Sequence, residues 1–308
     1  MKVFVAGATG AIGKQLLPRL VAAGHEVVGM TSKASNRALL EERGATPVIA
    51  DALVADQVAE AVGRANPDVI VHELTALRSL DLRHFHRDFA LTNRLRTEGT
   101  DHLLSAGRAV GVRRFVAQSY FGMYERRGAT VKSENDPIDR SPVSAMRESV
   151  KAIRHLEEAV LAASWTDGIV LRYGAFYGPG TSLAAGSEQL ELIRKRKFPL
   201  VGSGAGVWSF VHIADAAEAT VAAIEHGRRG VYNVVDDDPA SVADWLPTVA
   251  RKLGAKPPTR VPGFVGRMLA GRAVTVMMTE IRGASNAKAK RELGWQPRHP
   301  SWREALAA

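Results

Sequence analysis

The chain has 308 residues, of which 46% are hydrophobic and 24% charged, and its formal net charge is +9. It contains no cysteine, which excludes disulfides, thiolate nucleophiles and cysteine-ligated metals, and no run approaches the roughly 18 apolar residues of a membrane span. Because the positive residues are spread out without a nucleic-acid motif, we expect no nucleic-acid or membrane partner and a cytoplasmic location. An anionic cofactor or small-molecule substrate is the simpler use of the positive field.

The first thirteen residues have the pattern of a dinucleotide site. Residues 3–6 are apolar without interruption, as in a buried strand, and a helical pattern begins at Ile12. Between them, Gly7, Gly10 and Gly13 permit a sharp turn, close approach of a pyrophosphate and tight packing of helix on strand. Free N–H groups and the dipole at the helix start favour phosphate charge, so the sequence predicts a bound dinucleotide.

Strand and helix patterns alternate through the first two thirds of the chain. The later predicted strands cover residues 25–30, 46–50, 67–71, 113–118 and 168–172, and the helical patterns cover 36–43, 54–64, 85–110 and 146–163. This alternation implies right-handed crossovers and an α/β fold, a Rossmann-type doubly wound parallel sheet.

The last third of the chain has a different character. A strand is predicted over residues 208–212, a helix over 214–225 and a strand over 230–235, and prolines with short helices follow. We therefore expect a dinucleotide-binding domain of residues 1–175, to which about 205–235 also contributes. Residues 176–204 and 236–308 would form a smaller C-terminal substrate lobe.

Five sequence blocks follow one another in a specific order. They are Gly7-Ala-Thr-Gly-Ala-Ile-Gly13, Leu171-Arg-Tyr-Gly-Ala-Phe-Tyr-Gly-Pro-Gly180, Phe210-Val-His-Ile-Ala-Asp215, Val231-Tyr-Asn-Val234 and Glu292-Leu-Gly-Trp-Gln-Pro297. Together they resemble the extended short-chain dehydrogenase/reductase family, in its NAD(P)-dependent epimerase/dehydratase branch. The resemblance implies an active site between a Rossmann core and a small lobe, and a bound nicotinamide dinucleotide. It also implies a homodimer packed through helices from residues 85–110 and 146–163.

The end of the second predicted strand bears on the choice of cofactor. NAD-binding Rossmann proteins carry an acidic residue about 20 residues beyond the glycines. Here the strand is followed by Thr31, Ser32 and Lys33, with Arg37 one turn further on. A hydroxyl and two cations suit a 2′-phosphate, although both cations could also be solvated surface charges. We predict NADP as the cofactor, with NAD as the alternative.

The resemblance extends the predicted cofactor contacts along the chain. It implies that the Asp51 region meets the adenine, that residues 74–76 line the dinucleotide, and that residues 173–176 pass near the nicotinamide. The predicted cofactor-binding residues are Gly7, Thr9, Gly10, Ala11, Ile12, Gly13, Thr31, Ser32, Lys33, Arg37, Asp51, Ala52, Leu74, Thr75, Ala76, Tyr173, Ala175 and Phe176.

The catalytic pattern of the family is a Ser or Thr after the fifth strand and a Tyr-x-x-x-Lys on the next helix. The tyrosine is the general acid/base, and the lysine lowers its pKa. Counted back from Tyr124, the usual Ser/Thr place holds Tyr120, with Ser119 beside it. The chain therefore departs from the family pattern at its fifth strand.

The helix predicted over 146–163 departs from the pattern too, because it contains no tyrosine. If Lys151 is the family lysine, Arg147 occupies the tyrosine place. If Glu157 sets the register instead, the two places hold Ser149 and Ile153. In both registers the usual tyrosine is absent.

Three hypotheses follow from this departure. First, Tyr120 or Tyr124 has taken over the acid/base role, with Ser119 and Lys151 in the catalytic set. Second, the enzyme performs chemistry that needs no tyrosine, with the substrate or water handling the proton. Third, the protein binds a dinucleotide without catalysis, as a regulator or scaffold. We predict an NAD(P)-dependent oxidoreductase or epimerase acting on a small carbonyl or alcohol substrate. The alternatives are the silent regulator and a non-redox isomerase or lyase.

Two further features bear on substrate and metal. Trp208 stands where sugar-nucleotide enzymes of the family often carry an arginine for phosphate, and its indole is expected to form an apolar wall for a substrate that is not a nucleotide sugar. His84 and His86 could ligate a metal, but no third ligand is suggested by spacing, so no metal is predicted.

Overall fold

A seven-stranded parallel sheet forms the centre of the protein in the computed structural model, which describes residues 1–77 and 85–306. Its strands are β1 (Lys2–Ala6), β2 (Glu26–Thr31), β3 (Thr46–Ile49), β4 (Val69–His72), β5 (Arg114–Tyr120), β7 (Asp167–Tyr173) and β12 (Gly230–Val234). They lie in the order β12-β7-β5-β4-β1-β2-β3, and every neighbouring pair is parallel. This arrangement confirms the predicted Rossmann-type fold class.

Helices cover both faces of the sheet. In the described residues they are α1 (Ala11–Ala22), α2 (Arg37–Glu42), α3 (Ala55–Ala65), α4 (Phe85–Arg96), α5 (Glu98–Ala109), α6 (Arg147–Ala162), α7 (Glu188–Arg194), α8 (Ile213–His226), α9 (Val242–Lys252), α10 (Gly263–Thr279), α11 (Ala287–Leu293) and α12 (Trp302–Ala305). The helical region predicted over 85–110 is two helices, because Thr97 between them has φ −98° and ψ −81°. In the part of the chain that the structure describes, no helix is long and apolar enough to span a membrane.

The alternation of side chains along β1 explains its uninterrupted apolar sequence. Val3 and Val5 pack with α1 and α8 on one face of the sheet, whereas Phe4 and Ala6 pack with α3, α5 and α6 on the other. Successive strand residues point to opposite faces, so a strand covered by helices on both sides is apolar throughout. The strand is therefore held in the centre of the fold, and the glycine turn begins at its carboxyl end.

A separate aromatic core lies in the C-terminal part of the chain. It contains Trp208, Phe210, Trp245 and Trp302. The short strand pairs are β8 (Ala175–Tyr177) with β11 (Phe210–His212), β10 (Val207–Trp208) with β13 (Ala240–Ser241), β9 (Leu200–Val201) with β14 (Arg260–Val261), and β6 (Val131–Lys132) with β15 (Gly283–Ala284). The predicted domain boundaries stay a prediction.

The single strand predicted over 208–212 is wrong in detail. The segment is two strands, β10 and β11, that belong to different small sheets. Ser209 lies between them, and its buried hydroxyl accepts a hydrogen bond from the Ala284 N–H (2.9 Å). The chain passes from one sheet to the other at this residue, a tertiary contact that strand periodicity does not reveal.

Candidate active site

The glycine turn after β1 leaves no room for side chains. Gly7 has φ +92°, and a Cβ atom added there would lie 2.5 Å from the carbonyl oxygen of Glu73. A Cβ atom at Gly13 would lie 2.4 Å from the carbonyl oxygen of Ala8. Gly10 closes the turn by donating its N–H to the Gly7 carbonyl oxygen at 2.9 Å. Bare backbone is thus exposed where the predicted diphosphate would approach.

The start of α1 offers the electrostatic half of the same site. Gly10 is its N-cap in an extended conformation, and among the described residues no side chain caps the helix and no acid occupies its first turn. The first N–H groups of the helix and its dipole are then available to an anion. The turn therefore fits a dinucleotide diphosphate in both shape and charge.

The end of β2 presents two cations to solvent. Lys33 and Arg37 are exposed, as is Ser32. Thr31 is buried, and its Oγ1 accepts hydrogen bonds from Asn36 Nδ2 (3.0 Å) and, more weakly, from the Lys33 N–H (3.4 Å). The Thr31 hydroxyl therefore shapes the loop, and Ser32 and the two cations are the groups that a ligand can reach.

The remaining predicted cofactor residues also follow carboxyl ends of strands. Asp51 and Ala52 follow β3, residues 74–76 follow β4, and Tyr173 ends β7. The Tyr173 side chain is buried, and its hydroxyl lies 2.6 Å from Thr220 Oγ1. Its ring is therefore part of the core, which leaves its main chain to contact a cofactor.

Glu73, directly after β4, is a buried acid that was not singled out from the sequence. Tyr173 donates its hydroxyl to Glu73 Oε1 (3.1 Å), and Oε2 has no hydrogen-bond partner among the described residues. Burial raises the pKa of Glu73 to about 8, so the group is largely neutral at pH 7. A carboxyl group directly after the apolar run of β4 was the available signal.

Ser119 belongs to a buried network that attaches α6 to the sheet. Its Oγ donates to Glu157 Oε1 (2.6 Å), and Arg172 of β7 donates to both oxygens of Glu157 (2.8 and 2.5 Å). All three residues are buried. The predicted catalytic hydroxyl of Ser119 is therefore engaged in positioning a helix.

The orientation of Glu157 distinguishes the two possible registers of α6. Residues four and eight positions before it share its helix face. These are Ile153 and Ser149, and each is only 1% exposed. Arg147 and Lys151 are exposed on a different face. The geometry therefore favours the register in which serine and isoleucine occupy the tyrosine and lysine places, and the catalytic role of Lys151 stays a prediction.

Neither candidate tyrosine is prepared to ionise near neutral pH. Tyr120 is half-buried at the end of β5, and burial raises its pKa, opposed in part by the charge of Arg96. Tyr124 donates its hydroxyl to Asn233 Oδ1 (2.7 Å), and burial raises its pKa to about 12. A phenol with a raised pKa gives up its proton poorly in acid catalysis. It is also rarely present as the phenolate that could act as a base.

An apolar cavity lies beside Tyr124. Its walls include Met123, Tyr124, Met146, Val150, Met277 and Ile281. It measures about 10 Å³, room for roughly one water molecule. The Arg126–Asp139 ion pair (2.9 Å) lies at its edge. Methionine side chains, which adapt readily to other shapes, form three of these walls.

Trp208 does not form the predicted substrate wall. It is 6% exposed, its Nε1 donates to the Met277 carbonyl oxygen (2.9 Å), and its ring packs against Trp245. The indole is large and apolar, and the C-terminal core takes it up. The prediction that Trp208 forms a wall for the substrate is therefore wrong.

One cluster in the described part of the chain has metal-ligand geometry, formed by His212, Asp215 and His299. His212 Nδ1 accepts a hydrogen bond from the Ala214 N–H (3.3 Å), so the ring proton of the neutral imidazole resides on Nε2. Asp215 Oδ2 accepts from the His299 N–H (2.8 Å). With these atoms engaged we assign no metal. His84 and the side chain of His86 lie outside the described residues.

Residues 3–235 match the model of the NAD dependent epimerase/dehydratase family. The chain belongs to this family. A 3-diazoavenalumate denitrifying reductase from a Streptomyces species is 46% identical over 312 residues, 99% of both chains. A quinoline-1-oxide ketoreductase of Stigmatella aurantiaca is 28% identical over 262 residues, 83% of this chain and 74% of its own. This epimerase/dehydratase family member is accordingly an NAD(P)-dependent oxidoreductase or epimerase, as the sequence predicted.

Solved structures of family members share the fold. The UDP-glucose 4-epimerase of Thermotoga maritima, with UDP-glucose, superposes with a TM-score of 0.78 at 21% identity, covering 100% of this chain and 96% of its own. A human epimerase family protein with NADPH superposes with a TM-score of 0.76 at 23% identity, covering 100% and 98%. At this identity the likeness concerns the backbone scaffold.

Proposed function

We propose that this enzyme is an NADPH-dependent denitrifying reductase, which replaces the diazonium group of an aromatic substrate by hydrogen. The observation that supports the proposal is the buried face of α6, which carries Ser149, Ile153 and Glu157 and no tyrosine or lysine. The denitrifying reductase at 46% identity supports it. The proposal puts a diazo group in place of the carbonyl or alcohol group that the sequence predicts.

The chemistry explains why a proton donor is dispensable. A carbonyl oxygen needs a proton when hydride arrives at its carbon, whereas dinitrogen leaves an aryl carbon without one. When bound, NADPH supplies a hydride that ends as a C–H bond, while the C–N bond breaks and its electron pair leaves with dinitrogen. The balance is aryl diazonium plus NADPH giving arene, dinitrogen and NADP⁺.

The chain's own residues then have only to bind and orient the cofactor and the substrate, and to exclude water. The glycine turn and the start of α1 would hold the diphosphate. The methionine-rich walls near Tyr124 would receive the flat ring of the substrate. Tyr120 and Tyr124, with their raised pKa values, would stay neutral and serve as walls or hydrogen-bond donors.

The reaction is tested with 4-carboxybenzenediazonium and NADPH deuterated at the transferred position. We expect benzoate and dinitrogen in equal amounts, oxidation of one NADPH for each, and no uptake of a proton in an unbuffered assay. A sample without protein corrects for direct reduction of the salt. Turnover of ketones with one proton consumed per NADPH, and none of the diazonium salt, would refute the proposal in favour of a carbonyl reductase.

The preference for NADPH is part of the proposal. Exposed Lys33 and Arg37 and the missing acid at the end of β2 support it. Replacing Lys33 and Arg37 together by glutamine should weaken NADPH binding about 10- to 100-fold, because two charge-assisted contacts to the 2′-phosphate are lost. NADH binding should be unchanged. Fluorescence titration of both nucleotides measures this. Tighter binding of NADH by the wild type would overturn the assignment.

We further propose a cytoplasmic homodimer that packs through the outer faces of α4 and α6. These helices are adjacent in the chain's own packing, and Leu91 on α4 is 49% exposed, an apolar side chain suited to an interface. Light scattering of the purified protein should give twice the monomer mass, and Leu91→Glu should lower it. A monomer mass for the wild type would refute the proposed homodimer.

A further inference from the structure

Arg96, at the end of α4, is a buried cation with one guanidinium nitrogen left unpaired within the described residues. It is 5% exposed, and among the described residues its Nη1 has no hydrogen-bond partner. Burial lowers its pKa to about 10, so it still carries its charge at neutral pH. A buried charge that lacks a counter-ion destabilises the folded state. An anionic group of a bound ligand would stabilise this buried guanidinium.

Several contacts place Arg96 at the carboxyl edge of the sheet. Thr92, one helical turn earlier on the same face of α4, accepts a hydrogen bond from the Ala76 N–H (3.0 Å) in the segment after β4. The Arg96 carbonyl oxygen accepts from Thr100 Oγ1 (2.7 Å), which lies 3.0 Å from His72 Nε2 at the end of β4. Electrostatic interactions join the guanidinium to Tyr120 at the end of β5.

Glu157 attracts the charge of Arg96 but forms its hydrogen bonds with other residues. Both of its carboxylate oxygens accept hydrogen bonds from Arg172, at 2.8 and 2.5 Å, and Ser119 occupies a further position on Oε1. Burial raises the pKa of Tyr120, so the phenol stays neutral and its hydroxyl keeps a proton to donate. The unpaired Nη1 of Arg96 and the hydroxyl of Tyr120 are therefore two hydrogen-bond donors beside the sheet edge where ligands of this fold bind.

We propose that Arg96 and Tyr120 form an anion-binding subsite that holds an anionic oxygen of the substrate, a carboxylate or a phenolate. Both groups donate hydrogen bonds, and the guanidinium presents several N–H groups to one ligand. The subsite would orient the aromatic ring against the cofactor. This inference rests on the proposed function for the identity of the ring, but its own test is equilibrium binding and needs no turnover.

The test uses the NADP⁺-saturated protein and small probes. The carboxylate probe is 4-methoxybenzoate, with its methyl ester as the neutral match; the phenolate probe is 4-nitrophenolate, with 4-nitroanisole as its match. We expect the wild type to bind at least one anion about 10- to 100-fold more tightly than its neutral match. The probe pair that shows this preference tells whether the subsite binds a carboxylate or a phenolate oxygen.

Variants assign the preference to residues. Arg96→Gln should abolish it, Arg96→Lys should retain part of it, and Tyr120→Phe should reduce it by about tenfold, because one hydrogen bond to the charged oxygen is lost. If 4-nitrophenol binds, its absorbance should show a lowered pKa in the wild type and an unshifted one in Arg96→Gln. A purely structural arginine would not move this spectrum.

Stability gives a second readout that does not depend on any ligand. Because Arg96 is buried and its Nη1 has no hydrogen-bond partner among the described residues, Arg96→Gln should unfold at the same or a higher temperature than the wild type when no ligand is present. A clear drop in unfolding temperature would assign Arg96 to the scaffold and overturn the proposal. So would an equal anion preference in wild type and Arg96→Gln, or a variant whose only loss is NADP⁺ affinity.

The outcomes also separate this subsite from the proposed reaction. If the diazonium salt is not reduced but anion binding depends on Arg96, the subsite stands and the reaction falls. If 4-carboxybenzenediazonium and its methyl ester are reduced with equal kcat/KM in both the wild type and Arg96→Gln, the reaction stands and the subsite falls.

Discussion

The glycine turn after β1 and the corner between β5 and α6 lie at the same carboxyl edge of one sheet, yet they are built differently. At the turn, backbone atoms make the site, and Gly7 and Gly13 exclude any side chain. At the corner, side chains make the site, and Ser149 and Ile153 are buried on the face of α6 that carries Glu157. A cofactor site made of backbone follows from the fold, whereas the chemistry beside it changes with a few side chains.

The largest expected effect comes from placing a methyl group in the turn. Gly7→Ala should lower the free energy of unfolding by about 2–5 kcal/mol, because it combines a left-handed φ with a clash against the Glu73 carbonyl, and should abolish NADPH binding. Urea unfolding and nucleotide titration measure the two effects. Gly24→Ala is the matched control, since Gly24 has φ +80° with no atom within 4 Å of the added Cβ. Normal NADPH binding by Gly7→Ala would mean that the bare backbone of the turn does not form the cofactor site.

At the corner the largest effect should come from the buried ion pair. Glu157→Gln leaves the Arg172 charge without its counter-ion and should cost about 3–5 kcal/mol in urea unfolding. Ser119→Ala removes one hydrogen bond from the same carboxylate and should cost about 1 kcal/mol. Equal losses in the two variants would mean that the pair does not anchor α6.

Glu73 lies between the two regions, and its effect should depend on pH. Its folded pKa of about 8 exceeds the ordinary 4.5, so the stability gained by keeping it neutral is complete at low pH and is lost as pH rises towards 8. Glu73→Gln lacks this loss. The free energy of unfolding of Glu73→Gln minus that of the wild type should rise by up to about 1.4 kcal/mol per pH unit between pH 4.5 and about pH 8. A difference independent of pH would mean that Glu73 is ionised in the folded protein.

The smallest expected effect belongs to Lys151. Because the side chain is exposed away from the face of Ser149 and Ile153, Lys151→Gln should change stability by less than about 0.5 kcal/mol and leave kcat within the error of the assay. Steady-state turnover of the diazonium salt measures it. A tenfold or larger fall in kcat would restore the register in which Lys151 is the family lysine.

The sequence by itself determined the class of fold and the place of the cofactor turn. The periods of strand and helix are local properties of the chain, and so is the need for glycine where the backbone turns at Gly7. The order of the motifs was sufficient to identify the family. These features were predictable because each depends on neighbours within a few residues.

Only the tertiary structure decided which face of α6 meets the sheet, because that depends on the bonds of Glu157 to Ser119 and Arg172, which are distant in the chain. It also decided that Trp208 packs in a core, and that Arg96 and Glu73 are buried beside the site. The charge state of a side chain depends on the solvent and partners that folding removes or supplies. Those surroundings come from several elements at once, and no local pattern encodes them.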